Sequence, residues 1–155
     1  MLYRNPDEFL KFIPKDKCIM CLDMGEKQIG IAFSDKTQLI ATAHSIYYRK
    51  NMSKDLGYLH RIFKENEAGS MVIGLPLAID GQENEWCKII IHFANRMIKK
   101  YKINIYLQDE SLSTAIATHT LKIAGVSATK SKKIDDKISA CIILQRALDK
   151  INAIK

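Results

Sequence analysis

The sequence has no apolar run approaching the roughly 20 residues needed to cross a bilayer, and nothing in it resembles a lipidation signal. Its first residues lack the pattern of a secretory leader. Instead, Asn5-Pro6-Asp7-Glu8 leads into Phe9, Leu10, Phe12 and Ile13, as expected of a capped helical turn with proline at its first position. No membrane partner is expected, and a cytoplasmic location follows. Internal repeats and interdomain linkers are also missing, so one domain is expected over residues 1–155, with 1–16 as an N-terminal extension.

Metal-binding sulfur and nitrogen are sparse as well. Cys18 and Cys21 form a Cys-x-x-Cys pair, but no second pair and no paired histidines complete a zinc site. The pair sits inside the apolar run Cys18-Ile19-Met20-Cys21-Leu22, where strand alternation sends its two side chains to opposite faces, so both are read as core residues. His44, His60, His92 and His119 have no ligand-like spacing.

What the chain does have is a core and a positive charge. Hydrophobic residues make up 47% of 155 positions, and Lys plus Arg exceed Asp plus Glu by 24 to 17, a formal charge of +7. A basic balance concentrates anionic partners, and nucleic acid is the first to consider.

Periodicity divides the chain into alternating elements. Cys18–Asp23 and Ile29–Ser34 read as strands joined by the Gly25-Glu26-Lys27 turn, with a third strand over Leu39–Tyr47. Asp55, Leu56, Leu59, Ile62 and Phe63 recur at helical spacing. Met71-Val72-Ile73 is a short strand closed by Gly74-Leu75-Pro76, and Asp80-Gly81 turns the chain into an amphipathic helix through Trp86, Ile89, Ile90, Phe93 and Met97, where Trp86 is read as core. A strand over Ile103–Leu107 follows. The next helix is expected to be capped by Ser111 or Ser113 and to end at Gly125. Val126–Lys133 reads as a basic loop, and the final helix is expected from near Asp135, burying Ile138, Cys141, Ile142, Leu144 or Gln145 in part, and Leu148. This order gives an α/β fold with a mixed central sheet, antiparallel hairpin strands plus parallel strands, flanked by helices. Ribonuclease H-like folds have this order.

Carboxylates stand at three separated places. Asp23 ends an apolar strand before a glycine turn, which puts it at the carboxyl edge of the sheet where open α/β sheets bind ligands. Asp109 and Glu110 occupy the corresponding edge of the last strand, and Asp135 and Asp136 open the final helix. Each alone is an ordinary turn or cap residue, but a cluster of oxygen donors without His or Cys suits Mg2+ or Mn2+. Such ions support phosphodiester hydrolysis without a side-chain nucleophile. The basic segment with Lys130, Lys132 and Lys133 precedes the final acids and is a candidate for tracking a phosphate backbone.

These residues resemble a known family. Leu22-Asp23-Met24-Gly25 with Lys27, Ile29-Gly30 and Ser34-Asp35 is similar to the opening motif of the YqgF/RuvX family, and Val72-Ile73-Gly74-Leu75-Pro76-Leu77 with Asp80-Gly81 is similar to its second motif. Asp109-Glu110 with Leu112-Ser113-Thr114, and Asp136-Lys137 with Ser139-Ala140 and Ile142-Ile143-Leu144-Gln145, resemble its last two. The resemblance implies Asp23, Glu110 and Asp136 as an acidic, metal-holding catalytic triad, with Gly74 and Pro76 lining the site; Lys27, in the turn, is a candidate phosphate contact whose alternative is a solvated turn lysine. The resemblance also implies a nuclease that matures the 5′ end of pre-16S rRNA, with branched DNA of the Holliday-junction type as the alternative substrate. Two residues depart from the pattern: Ser111 stands where the family has Arg, and Glu26 where Thr is common. Losing a bidentate phosphate contact and adding a carboxylate both disfavour phosphate, so a catalytically weakened RNA-binding module is the alternative function. An actin-like ATPase, whose phosphate loop resembles Asp23–Gly30, is disfavoured because such proteins hold nucleotide between two domains.

Overall fold

The computed structural model describes residues 1–78 and 80–110, the backbone of residues 128–155, and the side chains of that last segment from Ile138 onward. Strand β1 (Leu2–Tyr3) leads into helix α1 (Pro6–Leu10), where the Asn5 side chain accepts from the Asp7 N–H at 2.8 Å and Pro6 occupies the first turn. Then follow β2 (Cys18–Met24), β3 (Gln28–Ser34), β4 (Ala41–Tyr48), α2 (Met52–Glu65), β5 (Ala68–Leu75), α3 (Glu85–Tyr101), β6 (Ile105–Asp109) and α4 (Ala128–Ala153).

Among the described residues one six-stranded sheet forms, in the order β1-β6-β5-β2-β3-β4. β2, β3 and β4 are antiparallel neighbours, whereas β2, β5, β6 and β1 run parallel. The mixed sheet expected from the element order is therefore present. β2 lies at its centre, which accounts for its continuous apolar run: both of its faces are covered. One face packs α2 and α3 through Met20, Leu22, Ile73, Leu59 and Phe93; the other packs α1 and α4 through Ile19, Cys21, Val72, Phe9 and Leu144. Cys18 and Cys21 fall into opposite cores, as alternation requires, and Trp86 packs against the first core partly buried.

Several boundaries differ from the periodicity. β4 starts at Ala41 because Asp35 holds the preceding residues in a turn: its Oδ1 accepts from the N–H groups of Leu39 and Ile40, each at 2.9 Å. These bonds, the one from Ile40 foremost, together with the Thr37 hydroxyl, bring the Asp35 carboxyl down to about 2. Ser34 Oγ accepts from the Ile19 N–H at 2.8 Å, so Ser34-Asp35 is a structural device tying β3 to β2 and to its own turn.

Residues 128–133, expected as a loop, are the first turns of α4. Ala128 and the lysines are good helix formers, and no Gly or Pro follows Gly125 to stop them. The buried apolar stripe of α4 from Ile138 onward is Ala140, Ile143, Leu144, Ala147, Leu148 and Ile151; Leu144 and Leu148 are buried as expected, whereas Ile138, Cys141 and Ile142 are only half-buried. The arc of apolar residues is wide, and Gln145 sets its edge by accepting from the Ala41 N–H at 2.9 Å and donating to the Leu39 carbonyl at 3.0 Å. The expected helix between Ser111 and Gly125 lies outside the described residues.

Candidate active site

Because β2, β5 and β6 are parallel, their carboxyl ends share one edge of the sheet. The register pairs Leu22 with Ile73 and Gly74 with Gln108, which lines up Asp23, Gly74 and Gln108 across three strands. Cys21, Val72 and Tyr106 face the α4 side, so by alternation Asp23, Gly74, Gln108 and Glu110 face it too. Asp109 points away and is exposed. The side chain missing at Gly74 brings α4 close: a Cβ there would lie 2.7 Å from Cδ1 of Ile143.

Glu110 follows β6, its N–H bonded to the Leu75 carbonyl at 2.9 Å. Its side chain is only 4% exposed, and among the described residues neither carboxylate oxygen meets a donor in good hydrogen-bond geometry, the Gln108 amide being a neighbour that only eases its charge. Arg146 Nη1 on α4 is 3.8 Å from Oε2. Burial raises the Glu110 carboxyl to about 7, against the pull of Arg146, the Gln108 amide and Lys150 and with a further upward push from Asp23. The Cys21 thiol is raised well above its ordinary value by burial and then by Asp23 and Glu110. Burial, Asp109 and Glu110 likewise raise Tyr106 to about 12. Asp23 and Glu110 therefore share one negative field at the sheet edge. A buried carboxylate with two unsatisfied oxygens is costly unless something binds it, and an all-oxygen donor pair suits a hard divalent cation such as Mg2+ or Mn2+. Among the described residues no group of three His, Cys, Asp or Glu gathers here. Residue 136 lies on α4, and its side chain is outside the described residues.

Beside Asp23 opens a cleft of about 480 Å3 lined by Gly25, Glu26, Lys27, Gln28, Gly30 and Tyr48. The hairpin turn that forms it needs glycine at 25: the Gly25 N–H donates to the Gln28 carbonyl at 2.8 Å, and a Cβ would lie 2.6 Å from that same oxygen. A buried ion pair braces the turn from behind. Arg49 donates through Nη1 to the Gly25 carbonyl at 3.1 Å and through Nε to Asp55 at 3.2 Å. Asp55, 1% exposed, also accepts from the Tyr47 hydroxyl and the Lys50 N–H, each at 2.9 Å.

Of the residues singled out in the sequence, the structure brings Asp23, Lys27 and Glu26 to the cleft and buries Glu110 at the same sheet edge, within the electrostatic reach of Asp23. Gly74 faces Ile143, and the Pro76 carbonyl accepts from the Cys87 thiol at 3.1 Å; neither lines the cleft. Lys130, Lys132 and Lys133 lie on α4 with side chains outside the described residues, as does all of Ser111. Sequence reasoning missed Arg146, Tyr48 and the Arg49–Asp55 brace. Arg146 and Lys150 at i,i+4 on the final helix were a signal for a basic edge near the acids.

A family model described as RuvX, Holliday junction resolvase, matches residues 17–150. A protein of Wolbachia (strain wRi), named "Putative pre-16S rRNA nuclease", is 86% identical over 155 residues, 100% of each chain. One of the same name from Ehrlichia ruminantium (strain Welgevonden) is 60% identical over 151 residues, 97% of each. Among solved structures, the fowlpox virus Holliday junction resolvase superposes with a TM-score of 0.51 and 14% identity, covering 89% of this chain and 99% of that one. That likeness concerns the fold, which is ribonuclease H-like. The match runs from just before β2 to within α4 and so takes in every strand end that carries a candidate acid: the chain belongs to the RuvX family of Holliday junction resolvases.

Proposed function

We propose that this protein is a metal-dependent nuclease that hydrolyses phosphodiester bonds in structured RNA, with the 5′ end of pre-16S rRNA as its substrate. The observation that carries this reading is Glu110, a buried carboxyl with no well-formed hydrogen bond among the described residues, at the same sheet edge as Asp23 and its open cleft. The names of the relatives support the choice of RNA over branched DNA. Asp23, Glu110 and Asp136 would hold Mg2+ or Mn2+, which lowers the pKa of an attacking water and stabilises charge on the leaving oxygen. Glu110 enters as carboxylate, and Arg146 keeps part of its charge compensated when no cation is bound. Lys27 on the hairpin turn contacts a phosphate beside the scissile one, and Lys130, Lys132 and Lys133 extend that contact from the first turns of α4. Gly74 lets α4 approach the sheet and so brings residue 136 toward the other two acids. Pro76 stiffens the chain that leaves β5.

Glu26 in the cleft favours one competing reading, an RNA-binding module with weakened turnover. Cleavage of a labelled 16S rRNA precursor and of a four-way DNA junction separates the possibilities. The wild-type protein is compared with Asp23→Asn and Glu110→Gln in Mg2+, Mn2+ or chelator, with binding recorded on the same samples. RNA cutting that needs metal and is lost in both variants is expected. Tight binding with no cutting in any metal would overturn the nuclease in favour of the binding module.

A further inference from the structure

We propose that a second depression, lined by Lys50, Lys54, Tyr58 and Arg61, is a sequence-independent contact site for the RNA strand leaving the catalytic cleft. The inference rests on the nuclease reading above for the identity of its ligand. The depression has a volume of about 540 Å3 and is walled by Tyr47, Lys50, Lys54, Gly57, Tyr58 and Arg61. Its relation to the cleft is set by covalent geometry. Tyr47 and Tyr48 are consecutive in β4 and so point to opposite sides; Tyr48 lines the catalytic cleft and Tyr47 the second depression. The Arg49 N–H donates to the Lys27 carbonyl at 2.8 Å, so the cleft's lysine-bearing turn is bonded to the segment that begins the groove. The two depressions lie on opposite sides of the edge strand β4, with no lining residue in common.

Charge and surface chemistry identify the occupant. Three cations line the groove and no carboxylate does. Asp55 lies beneath it, 1% exposed and already bonded to Arg49, Tyr47 and the Lys50 N–H. Glu65 touches Arg61 only at 3.6 Å, with both side chains largely exposed, so water screens that pair. Lys54 and Arg61 lie on one face of α2, about 10 Å apart along the helix, a span that meets about two phosphates of one strand. A protein partner would call for an exposed apolar centre. Among the described residues the exposed large apolar side chains are Met1, Phe12, Leu39, Ile40, Tyr48, Ile89 and Ile154, none of which lines this groove. Base reading is disfavoured too. The Tyr58 ring already stacks on Tyr47 with centroids 4.2 Å apart and carries the Arg61 guanidinium 5.2 Å from its centroid. What remains is attraction to backbone phosphate.

The test measures binding of a single-stranded RNA of about 20 nucleotides to the full chain in chelator, from 50 to 300 mM KCl. Lys50→Gln/Lys54→Gln is compared with Lys11→Gln/Lys15→Gln, exposed lysines near α1 on the opposite face of the sheet. Two lost phosphate contacts weaken affinity about 25-fold at 0.1 M salt and make the log–log salt slope shallower by about 1.4. The control pair is expected to stay within about twofold of wild type. In metal, the groove variant is expected to raise KM for the long RNA without changing kcat, while cleavage of an oligonucleotide too short to leave the cleft is unchanged. An unchanged salt slope in the groove variant would overturn the inference and leave the groove to an acidic protein surface. Equal losses in the control pair would overturn it in favour of a general charge effect. If no form of the protein cuts RNA but the groove variant still loses affinity, the catalytic reading falls and the groove stands.

Discussion

Glu110→Gln is expected to stabilise the metal-free protein at pH 8 while abolishing metal-dependent cutting. In the folded chain the Glu110 carboxyl is raised to about 7, chiefly by burial, from an ordinary value near 4.5. The folded state therefore holds a proton that the unfolded state releases, and stability is present in full below about pH 4.5 and is lost as pH rises through about 7. A change of that size corresponds to about 3 kcal/mol at most, and about 2 kcal/mol after screening by water at the cleft mouth. Glutamine keeps the shape without the charge, so its melting temperature at pH 8 in chelator should exceed wild type by roughly 4–8 °C for a chain of this length. The difference should shrink to near zero at pH 5. Mg2+ should raise the wild-type melting temperature and leave that of the variant unchanged, because binding to the folded state stabilises by mass action. Differential scanning calorimetry across pH 5–8, with and without metal, provides the readout. A variant no more stable than wild type at pH 8, or a difference independent of pH, would refute the argument that Glu110 is held ionised at a cost for the sake of a cation.

Asp55→Ala removes the acceptor from Arg49, Tyr47 and the Lys50 N–H; a loss of about 3–5 kcal/mol is expected by denaturant titration, with Asp55→Asn losing less. Gly25→Ala sets a Cβ against the Gln28 carbonyl, a backbone atom that cannot turn aside. It should cost about 1–3 kcal/mol and depress metal-dependent cleavage more than RNA affinity measured in chelator. Gly74→Ala should cost a similar amount, and Ile143→Val in the same chain should restore part of it by deleting the clashing Cδ1, a coupling that a double-mutant cycle of melting curves would read.

Asp23 was legible in the sequence because a buried strand that halts at an acid followed by glycine can place that acid in few positions. Glu110 was harder. Asp109 and Glu110 are adjacent, and only the phase of β6 against β5 decides which one turns toward α4; composition carries no phase, and the family motif had to supply it. The start of α4 was misread because Ser, Thr and Lys suit loops as well as helix starts, and its buried face was misjudged because apolar residues cover more of the helix than one core needs. Asp55 illustrates what a linear reading cannot reach. In the sequence it is an ordinary first-turn acid of α2, and its burial depends on Arg49 arriving from the end of β4, which depends in turn on the register of the β3–β4 pair.

Gly74 also acts at a distance. Where its missing Cβ admits Ile143, α4 comes close to the sheet, and residue 136 lies about 10 Å along the helix from that point. On this view the glycine, which lines no part of the cleft, sets how deeply α4 seats on the face that carries Asp23 and Glu110, and with it the seat of the third acid of the proposed triad.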